Sequence, residues 1–140
     1  MDRHGWIDER LAKVPLFANL DKKHLQHISS LVTQIDVKQG KTLTREGEHG
    51  NEFIIILEGE AEVKVGDEVV ATRGPGDYFG EIALISNQPR TATVTATTPM
   101  KIEVIGRREF QTMLHDNPGI ATELLGIAAD RIAENDERTH

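Results

Sequence analysis

The chain has 140 residues, 38% hydrophobic and 28% charged, a composition that supports one packed core and differs from the apolar-poor, charge-rich signature of disorder. A formal net charge of −7 argues against whole-domain attraction to nucleic acid, so an anionic ligand would need a local cradle of backbone N–H groups and basic side chains. The absence of cysteine removes disulfides, cysteine-ligated zinc, iron–sulfur centres and thiol catalysis.

The N-terminus predicts helix. Ile7, Leu11 and Val14 recur at spacings of four and three before Pro15 interrupts them. A second helix is expected from about Asp21, with Leu25, Ile28, Leu31 and Val32 on one face and Asn19 or Asp21 as its cap. The start of the chain has no apolar stretch of the signal-peptide kind, and the longest apolar run, Phe53 to Leu57, is far below the ~20 residues that span a bilayer. A cytoplasmic location without membrane contact is the expectation.

From Ile35 to Ile105 the pattern changes to short strands punctuated by glycine, which predicts an antiparallel sandwich or barrel. Ala61, Val63 and Val65 alternate with polar residues, and Gly66-Asp67 separates them from Val69 and Val70 as a two-residue hairpin loop would. Gly74-Pro75-Gly76-Asp77 marks another turn. Val94 and Ala96 alternate with threonines, and Ile102 and Val104 alternate with Glu103, which predicts two half-buried strands. Phe110, Met113 and Leu114 then form a short helical face. Asn117-Pro118 opens a last helix carrying Ile120, Leu124, Ala128 and Ile132 at four-residue intervals.

The fold class expected is therefore mainly β with flanking helices: an antiparallel β-roll of the jelly-roll type, a short helix within it, and helices at either end. The boundaries are one domain over 1–140, with N-terminal helices over about 1–34, the β-roll over 35–105 and C-terminal helices over 106–135.

The stretch from Phe79 to Val94, FGEIALISNQPRTATV, carries the chemistry. Gly80 lets a ligand approach the backbone, and the turn Glu81-Ile82-Ala83-Leu84 would aim the N–H groups of a helix start at an anion. Arg90 supplies a planar fork of donors that matches phosphate oxygens, with charge-assisted bonds worth ~1.5–3 kcal/mol each. A carboxylate beside a phosphate would repel it, so Glu81 needs another partner, and the free 2′-hydroxyl of a 3′,5′-cyclic nucleotide is such a donor.

At these residues the chain resembles the phosphate-binding cassette of the cyclic-nucleotide-binding domain family, which occurs in bacterial transcription regulators, cyclic-nucleotide-dependent kinases, exchange factors and channels. The match covers Phe79-Gly80-Glu81, Ile82-Ala83-Leu84 and Pro89-Arg90-Thr91-Ala92-Thr93-Val94. It extends to Pro15-Leu16-Phe17 and Leu20, Arg45-Glu46-Gly47, Leu57-Glu58-Gly59 and Gly76-Asp77-Tyr78-Phe79.

The resemblance implies that Glu81 binds the ribose and Arg90 the cyclic phosphate. Backbone N–H groups near Ile82, Ala83 and Ala92 would complete the phosphate site. The purine would lie near Val70 and Ala71, and Leu124 to Ile132 would close over it. Phe79 and Gly80 enter the ligand site as the cassette's first residues, and Thr91 is the candidate base reader, with cAMP favoured over cGMP.

The resemblance further implies a non-catalytic sensor with no cofactor and no metal, whose C-terminal helix changes position on binding. Its partners would be the nucleotide and a protein effector, separate or fused; the apolar residues of the last predicted helix suit core packing, a homodimer seam or contact with the ligand. Since no helix-turn-helix sequence follows the last predicted helix, DNA is not an expected partner. Two other readings stay open: a degenerate module that binds only proteins, and a cupin-like metal enzyme. The second would need converging histidines, yet only His49 falls in the β region.

Overall fold

The fold is taken from a computed structural model of the chain, which describes residues 9–80 and 89–126. In chain order it contains α1 (Glu9–Ala12), a 3-10 turn (Pro15–Phe17), α2 (Lys22–Leu31), eight strands, and α3 (Arg107–Asp116). The strands are β1 (Thr33–Val37), β2 (Thr42–Thr44), β3 (Glu52–Glu58), β4 (Ala61–Val65), β5 (Glu68–Arg73), β6 (Tyr78–Phe79), β7 (Thr93–Ala96) and β8 (Met100–Gly106). Helix α4 follows and is described over 118–126. Residues 81–88 of the cassette, and Ala128 and Ile132 of the last predicted helix, lie outside the described residues.

Two four-stranded antiparallel sheets face each other, one ordered β1-β8-β3-β6 and the other β2-β7-β4-β5. This is the mainly β architecture with flanking helices that the glycine-punctuated alternation predicts. The hairpin reading holds in detail: Val65 pairs with Glu68 across Gly66-Asp67, and Gly66 takes φ 61°, which glycine adopts without a Cβ penalty.

Two apolar clusters sit on opposite faces of the first sheet. On the inner face, Ile54, Ile56, Ile102 and Val104 meet Ala61, Val63, Val94 and Ala96 of the second sheet. On the outer face, Phe53, Ile55 and Ile105 meet Leu11, Phe17, Ile28, Phe110, Met113 and Leu124 from the helices. Such burial contributes ~1.5–3 kcal/mol per large apolar side chain. The Phe53 ring lies 5.4 Å from that of Tyr78 and 5.0 Å from that of Phe110, joining sheet to helix. A strand covered on both sides has no polar face to show, which is why Phe53 to Leu57 reads as a continuous apolar run.

The same two-sided cover corrects the expectation for Glu103. Alternation between Ile102 and Val104 places it on a solvent face, but β8 runs between β1 and β3 under the helices, and Glu103 is fully buried. Two smaller differences concern boundaries. Strand β1 begins at Thr33 rather than at Ile35, which is 41% exposed, and Val32 closes α2 from outside it while still reaching the core.

Local signals set the helix ends. Asp21, rather than Asn19, caps α2: its Oδ1 accepts the His24 backbone N–H at 2.9 Å. Pro118 opens α4 as expected, while the side chain of Asn117 turns back and donates 2.9 Å to the Met113 carbonyl, satisfying an end of α3. No helix among the described residues is long and apolar enough to cross a membrane.

Candidate functional site

Gly80, just after β6, and Arg90, just before β7, lie side by side. Strand β6 pairs Phe79 with Ile54 of β3, and this delivers Gly80 to the edge of the first sheet with φ 99°, a conformation that side-chain-bearing residues rarely adopt. A Cβ on Gly80 would fall 2.6 Å from both Arg90 Nη1 and the Glu52 carbonyl oxygen, so the glycine is also needed for space.

Arg90 is held at both its main chain and its side chain. Its N–H donates 2.8 Å to the Glu48 carbonyl, and its own carbonyl accepts the Gly47 N–H at 2.9 Å. Its guanidinium donates from Nη1 to the Gly80 carbonyl at 3.2 Å and from Nη2 to the Glu52 carbonyl at 2.8 Å. The residue is only 8% exposed. A polar side chain this buried is rare unless its donors are satisfied, and a guanidinium so oriented offers a fixed fork instead of a mobile surface charge.

Gly50 completes the surround. A Cβ there would fall 1.9 Å from Arg90 Nε, so this position is kept open for the guanidinium. Residues 47–52 thus form a wall around Arg90 that is not legible in the sequence, where only Gly47, within Arg45-Glu46-Gly47, carries the family resemblance. A cavity of about 430 Å³ opens against it, with Arg90, Arg45, Glu48 and His49 among its lining.

Downstream of Arg90 the chain enters the second sheet. Thr91 and Ala92 are half-buried, and the Ala92 carbonyl accepts from Thr44 Oγ1 at 3.1 Å. Val94 pairs with Val63, and Val63 with Ala71, so the exit from the cassette and the β5 residues Val70 and Ala71 belong to one sheet wall. Val70, Ala71 and Ala92 pack against the sandwich core at its margin, whereas Phe79 is buried within it.

The structure brings Gly80 and Arg90 into direct contact, with Thr91 and Ala92 following Arg90 toward β7, while Val70, Ala71 and Ala92 share the margin of the sandwich core. Glu81, Ile82 and Ala83 lie outside the described residues. Of the residues expected to close over the purine, Leu124 is fully buried in the helical core on the outer face of the first sheet, and those from 127 onward lie outside the described residues.

Comparison with known proteins identifies the family. The family model for the cyclic nucleotide-binding domain matches residues 34–117, and the chain belongs to that family. Among curated relatives, the cAMP-dependent protein kinase regulatory subunit of Yarrowia lipolytica is 38% identical over 136 residues, covering 96% of this chain and 33% of the relative. The corresponding subunit of Schizosaccharomyces pombe is 41% identical over 105 residues, covering 74% of this chain and 26% of the relative. The chain thus spans a third or less of the length of these relatives, which are regulatory subunits and not catalytic chains.

Among solved structures, that of cAMP-bound PfPKA-R (141-441) superposes with a TM-score of 0.79 at 26% identity, covering 92% of this chain and 43% of the other.

Proposed function

We propose that this chain is a non-catalytic cyclic-nucleotide sensor that binds cAMP in preference to cGMP. The observation that carries the reading is the buried guanidinium of Arg90, fixed 3.2 Å from the carbonyl of Gly80 at the mouth of the cassette. An arginine oriented in this way presents planar donors suited to a cyclic phosphate, while Glu81 reads the ribose 2′-hydroxyl and the N–H groups of Ile82, Ala83 and Ala92 complete the anion site. The purine lies along the Val70–Ala71 margin with Thr91 beside it. The names of the relatives favour cAMP.

In this reading residues 1–140 act as one domain, with the cassette at 79–94. Nucleotide bound at the cassette favours one position of the C-terminal helix, which a protein effector reads. The shift cannot exceed the ligand's differential affinity for the two states. A protein kinase is the effector class the relatives suggest.

Parallel calorimetric titration of the full chain with cAMP and cGMP tests the proposal. Binding of cAMP at micromolar or tighter affinity is expected, with Arg90→Ala weakening it by about one to two orders of magnitude. Failure of both nucleotides to bind, or an Arg90→Ala variant with unchanged affinity, would overturn it.

A further inference from the structure

The segment that walls Arg90 is itself held from the far side. Arg107, the first residue of α3, donates from Nη2 to the Gly50 carbonyl at 3.1 Å and from Nε to Asn51 Oδ1 at 3.3 Å. On the other side of the same three residues, the Glu52 carbonyl accepts from Arg90, and Gly50 lies against the Arg90 guanidinium. Residues 50–52 are thus a short strut between two arginines.

The placement of Arg107 asks for such a role. A cation in the first turn of a helix opposes the macrodipole, and the carboxylate that suits this end is supplied separately by Glu109. Helix stability therefore gives no reason for an arginine here. Its two bonds to the strut do, and so does the rigidity of its base: Phe110 and Met113 of the same helix are buried in the helical core with Ile28, Phe53 and Leu124. Arg107 ties the strut to that core.

We propose that Arg107 is a positioning residue for nucleotide binding: it fixes the Gly50–Asn51–Glu52 strut and thereby sets the orientation of the Arg90 guanidinium. The inference rests on the reading of Arg90 as the phosphate-binding residue. By thermodynamic reciprocity, whatever nucleotide does to Arg90 is returned to α3 through the same strut.

The test is a double-mutant cycle on the full chain, with cAMP affinity measured for the wild type, Arg107→Ala, Arg107→Lys, Arg90→Ala and the double alanine variant. Arg107→Ala is expected to weaken binding by about 3- to 30-fold. Arg107→Lys is expected to recover part of the loss, since an ammonium retains one donor for the Gly50 carbonyl. On the Arg90→Ala background, Arg107→Ala should change affinity by less than about twofold, because its route through Arg90 is already gone.

The second readout needs no ligand: the Arg90 Nε–H resonance should move in Arg107→Ala. An unmoved resonance overturns the inference. So does an Arg107→Ala affinity within twofold of wild type while Arg90→Ala binds weakly, or a loss that is fully additive in the double variant. If the wild type binds neither cAMP nor cGMP, or Arg90→Ala binds as well as the wild type, the underlying reading fails and this inference falls with it.

Discussion

Gly50 and Arg90 are packed so closely that the glycine has no room for a side chain: a Cβ on Gly50 would lie 1.9 Å from Arg90 Nε. Gly50 is not among the glycines with positive φ, so its backbone suits alanine, and the three atoms nearest an added Cβ all belong to the Arg90 guanidinium. Gly50→Ala is therefore expected to displace the Arg90 fork while leaving the fold in place. Affinity for cAMP should fall by about 10- to 100-fold, with stability changed by less than about 1 kcal/mol. Calorimetric titration beside urea unfolding of the same variant checks both halves.

Gly80 makes the opposite case. Its φ of 99° is poorly accessible to alanine, and a Cβ would fall 2.6 Å from the Glu52 carbonyl, a backbone atom of β3 that has little freedom to move. Gly80→Ala should cost about 1–3 kcal/mol of stability as well as binding, because β6 must shift from β3 to relieve the contact. A variant with wild-type unfolding midpoint and wild-type affinity would show that this approach is looser than described.

Asp116 joins α2 and α3. Its Oδ2 lies 2.9 Å from His27 Nε2 and its Oδ1 3.1 Å from His115 Nδ1. The hydrogen bond from His115 lowers its pKa below the ordinary 3.8, helped by the charge of His27 and opposed by partial desolvation. A carboxylate with a depressed folded pKa contributes stability that is present above 3.8 and lost as pH falls through the lower folded value. Asp116→Asn should thus narrow the stability gap to wild type as pH is lowered below 3.8, and widen it above. Urea midpoints of the two proteins across about pH 2 to 6 test the sign, and a gap independent of pH refutes the linkage.

Phe53 ties β3 and β6 to the helical core through its place on β3 and its contacts with Tyr78 and Phe110. Phe53→Ala is expected to lower unfolding stability by about 3–5 kcal/mol, through lost burial and the cavity left beneath the helices. The urea midpoint should fall with the slope unchanged; a loss below about 1 kcal/mol would mean that the helical core collapses into the space.

Much of this molecule is written in short stretches of sequence, because the features concerned are decided by neighbours along the chain. Asp21 caps α2 three residues away, Gly66-Asp67 turns one hairpin, Pro118 starts a helix, and the cassette residues Gly80 and Arg90 identify the family by type and spacing. What only tertiary structure decided depends on cover from distant elements. Glu103 alternates like a surface residue yet is buried, since helices lie over the outer face of its sheet, and no pattern within β8 records their arrival. The orientation of Arg90 likewise comes from the Glu52 carbonyl and the bare Gly50, which belong to another strand and loop and are brought there by the packing of β3 against β6.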